Sequence, residues 1–317
     1  MNDKVGASGR KVTRQSAESK VAQGILQRIR SVVATRSELA DLLTQLARSM
    51  PKRVFRRTDL PAEEFLEIYL DEARYLFEVV LPYLGRDVRI LEVGGGLGLF
   101  HVLALAAGAN IVSLEPGAAG FSLFRKFGLE LITELTGEPE RFVDGVVEEL
   151  PWDDNEFDLV VSSNVLEHVS DPARAVCEMY RVVRPGGRLL HSCPNYLFPY
   201  EPHYKVPVLP CGVKLSGRAL WRGFRKDPMW ESLNNINALM VTRVARSLPG
   251  ARLRFHDAMR LVLKRLGSEK PLATRHGLLG RLVLMAPVSA MLRALPAQLL
   301  TPMIFEIQKD GGGIDLP

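Results

Sequence analysis

Ile90–Leu99 reads ILEVGGGLGL, an apolar run that carries an acid and then breaks into glycine. Glu92, Gly94, Gly96 and Gly98 fit the spacing E-x-G-x-G-x-G, where missing β-carbons let the backbone bend sharply and approach a ligand closely. The pattern predicts a strand entering a nucleotide-binding turn, with a helix starting near Leu97. A dinucleotide fingerprint needs glycine or alanine three residues after Gly96; that position is Leu99, which weakens the NAD reading at its diagnostic point. Downstream, Asn110–Leu114 (NIVSL) is a short β-rich run ending at Glu115, whose carboxylate can accept hydrogen bonds from both hydroxyls of a ribose. Turn and acid together point to an adenosine-containing ligand.

Further segments follow in order: Gly145–Trp152 (GVVEELPW), Phe157–Val169 (FDLVVSSNVLEHV), Arg181–Gly187 (RVVRPGG), and a strand ending in Cys193, Pro194 and Asn195. In this order the chain resembles the class I S-adenosylmethionine-dependent methyltransferases, from about Tyr75 to Asn195 and again near the C-terminus. The resemblance implies an α/β fold, a seven-stranded mostly parallel Rossmann-like sheet with helices on both faces. This chain adds an N-terminal helical extension and a C-terminal helical insertion. The implied activity is methyl transfer from S-adenosyl-L-methionine, leaving S-adenosyl-L-homocysteine, with the donor across the carboxyl ends of the first strands. Donor contacts then fall on Glu92, Gly94, Gly96, Gly98, Glu115, Glu148 and Asn164. Many relatives place Asp just after the glycine of the GVVEELPW segment, to bond the adenine amino group. Here that residue is Val146, and Asp144 lies two positions away, so adenine recognition passes to backbone groups or to Glu148.

With 317 residues, 47% of them hydrophobic, the chain can bury one large α/β core with appendages. Its expected divisions are a disordered basic tail (1–17), an N-terminal helical extension (18–57), the donor-binding core (58–195), an acceptor-side loop or lid (196–233) and a C-terminal part with inserted helices (234–317). Cys177, Cys193 and Cys211 have no metal-ligand spacing, no metal site is expected, and the N-terminus lacks a secretory pattern; a reduced, cytoplasmic protein is the expectation. Leu278–Phe305 is the most apolar piece, but Arg281, Arg293 and three prolines break it too often for a membrane span. Charge is segregated: +9 over residues 1–57, −14 over 58–195 and +10 over 196–317. Basic flanks of this kind either meet an anionic partner or pack on the acidic core.

Helical spacing predicts one or two amphipathic helices between Glu18 and Met50, and another from Pro61 to Val80 with Glu63 and Glu64 in its first turn. Tyr196–Glu231, with five prolines among aromatics, reads as a long ordered loop rather than helix or strand. Asn234–Leu248 has helical spacing, Arg252–His256 alternates as a strand, and Pro302–Lys309 (PMIFEIQK) is the candidate closing strand, which the resemblance places antiparallel between strands five and six. The stripe Leu279, Leu282, Val283, Met285, Ala286, Met291, Leu292 and Leu295, flanked by Arg275, Arg281 and Arg293, is expected to pack on the sheet, with an anionic membrane surface as the rival.

Methyl transfer from a sulfonium is an in-line displacement in which positioning does most of the work, and a base is needed mainly for a hydroxyl acceptor. His168, in the family-like LEHV segment after strand four and beside Asn164, is the first candidate base. Glu201, His203 and Tyr204 (in YEPHY) form a second set suited to a polyhydroxylated acceptor. His191 is expected to be a satisfied core residue. The reading is therefore O-methylation of a glycan, lipid-linked or other small-molecule acceptor, with possible peripheral contact at the inner membrane face. A nucleic-acid methyltransferase ranks below it, because the aromatic-basic interleaving of a base-stacking platform is missing. A non-catalytic partner protein of the same fold is the other rival.

Overall fold

The computed structural model describes residues 21–49, 60–85, 87–117, 121–209, 212–220, 223, 227–259, 262–263 and 282–311. The expected tail (1–17), Cys211, Arg275, Leu279 and Arg281 lie outside them. Strands β1 (Arg89–Val93), β2 (Asn110–Glu115), β3 (Phe142–Asp144), β4 (Phe157–Ser163), β5 (Val183–Cys193), β8 (Ala251–His256) and β9 (Met303–Lys309) form a seven-stranded sheet in the order β3-β2-β1-β4-β5-β9-β8. Two further short strands, β6 (Tyr200–Glu201) and β7 (Val206–Pro207), make a separate hairpin. The α/β fold expected from the sequence is the fold observed.

The chain divides into two compact units, the first made by the segment up to Ala47 with Pro61–Asp144, the second by Arg48–Leu60 with Gly145 onward. In the first unit the burial pattern of β1 explains the architecture: all but its first residue are buried, the continuous burial expected of a parallel strand covered on both faces. β1 pairs in parallel with β2, and β2 with β3. Helices α1 (residues 21–35), α2 (Ser37–Ser49) and α3 (Ala62–Val80) carry the predicted apolar stripes. Ile29, Leu46, Phe65 and Val80 are fully buried. Arg30 grips both carboxylate oxygens of Glu67 at 2.5 and 2.8 Å across α1 and α3, a half-exposed pair that orients more than it stabilises. Helix α4 starts at Leu99 rather than near Leu97, because Gly98 takes a left-handed φ of 71° and serves as its N-cap.

In the second unit β4 and β5 run parallel, and β9 is antiparallel to both β5 and β8, as expected for the closing strand. Helices α6 (Pro172–Val182) and α9 (Ala238–Ser247) pack here, after α4 (Leu99–Ala106) and α5 (Ser122–Thr136) of the first unit. α9 begins four residues later than its periodicity suggests. The side chain of Asn237 caps it by accepting from Met240 N at 3.0 Å, so Asn234–Asn237 stay outside the helix.

Tyr196–Glu231 is not the loop its prolines suggested. It contains the β6–β7 hairpin and helices α7 (Val213–Ala219) and α8 (Pro228–Ser232). Proline was read there as a breaker, but Pro228 stands at the first helical position, where its missing N–H costs nothing and Asp227 caps the turn. The apolar stripe departs from expectation as well. Within α10 (Ala286–Ala294) only Leu292 is buried, in a small cluster with Met259, Leu263 and Leu300, while Leu282, Met285, Met291 and Leu295 are exposed. His191 is in the core, stacked on Phe305 at 5.3 Å, but neither ring nitrogen has a hydrogen-bond partner among the described residues; burial holds its pKa down at about 3.

Asn195, fully buried after β5, ties distant backbone together. Its amide donates to the carbonyls of Gln298 and Leu300 at 2.7 and 2.9 Å, and its carbonyl accepts from Ala238 N at 3.2 Å. Asn195→Ala leaves these buried groups without their partner and is expected to cost about 1–3 kcal/mol, read as a lower urea midpoint at unchanged slope.

Candidate functional site

The donor side is built in the first unit by strand register. Glu92 stands opposite Ser113 and Val93 opposite Leu114, so the chain leaves β1 one step from the end of β2. The turn is then fastened to β2. Gly94 N and Gly95 N both donate to Leu114 O, at 2.8 and 3.0 Å, and Gly96 N donates to the Glu115 carboxylate at 2.8 Å. Gly96 has a φ of 53°, and a β-carbon there would meet no protein atom within 4 Å; the backbone faces open space. A left-handed glycine turn open on one side, above a buried carboxylate, fits the amino-acid and ribose parts of S-adenosylmethionine. Glu115 retains acceptor capacity beyond its bond to Gly96, since a carboxylate offers about four lone-pair sites.

Glu92 points elsewhere than at an open face. It is buried and accepts from Ser113 Oγ at 2.5 Å, while His101 Nδ1 lies 2.8 Å from that hydroxyl. The group braces the strand under the turn. Ser113 and His101 were not singled out in sequence, and only the acid in their midst gave a signal. Gly95, also passed over, is the tightest of the glycines here. A β-carbon there would stand 2.6 Å from the Phe142 ring and 3.1 Å from Ser113 Cβ.

Asp144 Oδ1 accepts from Gly117 N at 2.8 Å, so it holds the segment after β2. Glu148, in the second unit, accepts from Ser170 N and Oγ at 3.2 and 2.9 Å, and Val146 is exposed. Asn164 is exposed at the end of β4 with a left-handed φ of 54°, its N–H on Ser192 O at 2.8 Å.

The second unit brings together the three candidate catalytic residues. His203 Nδ1 lies 2.6 Å from Glu201 Oε1, and the rings of His168 and His203 are 5.4 Å apart. Glu201 is fully buried on β6 and also accepts from Tyr204 N at 2.6 Å and Tyr196 OH at 3.3 Å. The Glu201 carboxylate can only accept, so His203 carries a proton on Nδ1 and, as the neutral imidazole, has its lone pair on Nε2. A parallel argument fixes His168. Ser232 Oγ gives its hydrogen to Met229 O at 2.8 Å and so accepts from His168 Nδ1 at 2.7 Å, which leaves His168 Nε2 bare. Burial and the neighbouring His203 hold the His168 pKa down at about 3. Glu167, overlooked in sequence, is fully buried beside them, its Oε1 3.9 Å from His203 Nε2. Asn234 pins this turn by donating to Leu166 O and Val169 O at 2.6 and 2.9 Å, with its own N–H on Glu167 O at 2.8 Å. A carboxylate inside the apolar LEHV run was the available signal for Glu167; nothing local marked Ser232 or Asn234.

Residues 91–191 match a family described as Methyltransferase domain. An uncharacterized protein of Mycobacterium tuberculosis is 34% identical over 215 residues, 64% of this chain and 72% of the relative. An uncharacterized methyltransferase of the same organism is 33% identical over 153 residues, 45% of this chain and 55% of that one. Among solved structures, phosphoethanolamine N-methyltransferase 2 of Haemonchus contortus in complex with S-adenosyl-L-methionine has a TM-score of 0.46 at 15% identity, covering 74% of this chain and 52% of that one. The chain belongs to the class I S-adenosylmethionine-dependent methyltransferases. It is a methyltransferase of that class.

Two kinds of outcome follow, one from the glycine turn and one from the buried titratable groups. Gly96→Ala is expected to keep the fold at a cost of roughly 1–2 kcal/mol for the left-handed backbone, and to abolish calorimetric binding of S-adenosylhomocysteine. Gly95→Ala instead overpacks against Phe142, costing about 1–3 kcal/mol in stability. The second outcome concerns pH. Burial raises the pKa of Glu92 to about 8 and of Glu115 to about 7, so the folded chain keeps protons that the unfolded chain loses near 4.5. That stability is present below pH 4.5 and fades as pH rises through 7–8. His101, His168 and His191, lowered to about 4, 3 and 3, act oppositely, and their contribution fades as pH falls below 6.5. Melting temperature of the ligand-free protein should peak between these limbs, and Glu92→Gln should make the alkaline limb shallower, leaving the part due to Glu115, without changing the acid limb.

Proposed function

We propose that this methyltransferase transfers its methyl group to a hydroxyl oxygen of a glycan, lipid-linked or other small polyhydroxylated acceptor. The observation that carries the reading is the buried Glu201–His203 couple at 2.6 Å, with the second bare imidazole of His168 beside it. Hydroxyls need such a device. An alcohol holds its proton far too tightly to attack at neutral pH unaided, and a carboxylate-supported imidazole is the common side-chain solution.

Bound S-adenosylmethionine supplies an electrophilic methyl, whose bond to sulfur breaks with its electron pair on sulfur as the bond to the acceptor oxygen forms. The glycine turn at Gly94, Gly96 and Gly98 admits the donor's amino-acid part, Glu115 takes the ribose hydroxyls, and Glu92 braces the strand beneath. His203 Nε2 accepts the hydroxyl proton, and Glu201 stabilises the imidazolium that results. His168 Nε2 accepts from a neighbouring hydroxyl of the polyhydroxylated acceptor and so orients it.

A lipid-linked acceptor at the inner face of a membrane is favoured within this class by the exposed Leu282, Met285, Met291 and Leu295. Residues 271–305 contain no Asp or Glu but include Arg275, Arg281 and Arg293, which suits an anionic surface. Among the described residues no helix is long and apolar enough to cross a membrane.

Incubation with isotopically labelled donor and separated lipid, polysaccharide, RNA and protein fractions tests the reading. Label is expected on oxygen in the lipid or polysaccharide fraction. His203→Ala should lower turnover by about 10²–10⁴-fold with S-adenosylhomocysteine affinity unchanged. Label in RNA, with binding that falls steeply with salt, favours the nucleic-acid reading instead. No label in any fraction, with the donor bound, favours the non-catalytic partner.

A further inference from the structure

Glu167 has no part in the proton transfer just described, yet it is fully buried against both imidazoles. One ligand atom from each of Glu167, His168 and His203 lies within 4.8 Å of the others. We propose that these three residues form a binding site for a first-row divalent cation of the zinc class, with at least one coordination position left for the acceptor oxygen.

The argument rests on how the two rings are held. A histidine that ligates a metal donates its other ring N–H to a carboxylate or a similar acceptor, which fixes the tautomer and aims the lone pair. Both rings here are held in that way. His203 Nδ1 is on Glu201, which Tyr204 N and Tyr196 OH hold in turn, and His168 Nδ1 is on Ser232, which Met229 O holds. The two lone pairs therefore belong to Nε2 atoms, and the ring centroids are 5.4 Å apart at 61°. The carboxylate of Glu167 supplies the negative charge that a dication needs in a buried setting.

Ligand chemistry selects the ion. Two imidazoles and one carboxylate suit Zn²⁺, Co²⁺, Mn²⁺ or Fe²⁺, whereas Mg²⁺ and Ca²⁺ prefer all-oxygen shells. Around zinc, with bonds of about 2.1 Å, tetrahedral ligand atoms stand about 3.4 Å apart. Drawing the triad in from 4.8 Å or less to that spacing asks for a shift of about 1 Å. Three protein ligands with an open position is the arrangement of catalytic rather than structural zinc.

The ion's binding stands independently of the acceptor. Its catalytic consequence rests on the hydroxyl reading above. An acceptor hydroxyl on the ion loses its proton to water more readily, because the cation stabilises the alkoxide. In that state the two Nε2 atoms are ligands and the proton does not pass to His203.

The test uses the purified full-length chain, dialysed against a chelator and titrated with Co²⁺ while visible d–d absorption is followed. Saturation at one ion per chain, reversed by Zn²⁺, is expected. Glu167→Gln and His203→Ala should each abolish the signal. Ser232→Ala, which leaves all three ligands in place, should weaken affinity by about 10–100-fold. Calorimetric binding of S-adenosylhomocysteine checks that each variant is folded. A wild-type chain with no saturable Co²⁺ signal overturns the site, as does a signal that Glu167→Gln and His203→Ala leave untouched. Chelator-treated protein that binds no ion but still labels a hydroxyl, and loses that activity in His203→Ala, overturns the metal and leaves the hydroxyl reading standing. Stoichiometric binding with label on nitrogen supports the metal and overturns the hydroxyl reading.

Discussion

The parallel register of β1 and β2 is the constraint on which the donor side depends. It sets Val93 opposite Leu114, and the next three amides of the chain have no strand partner of their own. They are satisfied by Leu114 O and the Glu115 carboxylate. The glycine turn is thus not a loose loop after a strand but an extension of the hydrogen bonding of β2, and the acid suited to a ribose also holds the turn. An unpaired buried amide costs about as much as a lost hydrogen bond, which is why the acid and the turn are fastened together.

The second unit solves a different problem, how to keep two carboxylates and two imidazoles out of water. Glu201 does it with three donors, His203 Nδ1, Tyr204 N and Tyr196 OH. The turn that bears Glu167 and His168 is pinned by Asn234, and the segment after β5 by Asn195. Two asparagines, each bonded to several backbone groups, do what regular secondary structure does elsewhere. Their side chains are short, and their amides donate and accept at once.

Charge follows the same division between local pattern and long-range partner. Arg181 meets Glu178 and Asp154, and Glu306 meets Arg188 and His256. Glu306, buried on β9, has its pKa pushed down to about 2 despite burial, because Arg188 and His256 hydrogen-bond its carboxylate. Such pairs lie within the second unit.

Much of the fold was legible because its signals are local. The run Ile90–Val93 with the glycines behind it, Glu115 at the end of NIVSL, and the closing strand at Met303–Lys309 each depend on a few consecutive residues, whose periodicity or lack of β-carbons dictates backbone shape. The catalytic candidates His168, His203 and Glu201 were legible as residue types suited to proton transfer. What only tertiary structure decided is which of them meet and in what state. The tautomer of His168 comes from Ser232, 64 positions away, and the turn beneath it from Asn234, at similar distance. Tyr196–Glu231 read as loop because proline looks like a breaker in one dimension, whereas Asp227 and Pro228 open a helix whose Trp230 is buried. Sequence by itself determined the class of fold and the nature of the donor turn, since those rest on backbone geometry encoded in neighbouring residues. The buried carboxylate–imidazole cluster was decided by tertiary structure alone, since its hydrogen bonds join segments that have no reason to meet until the core is packed.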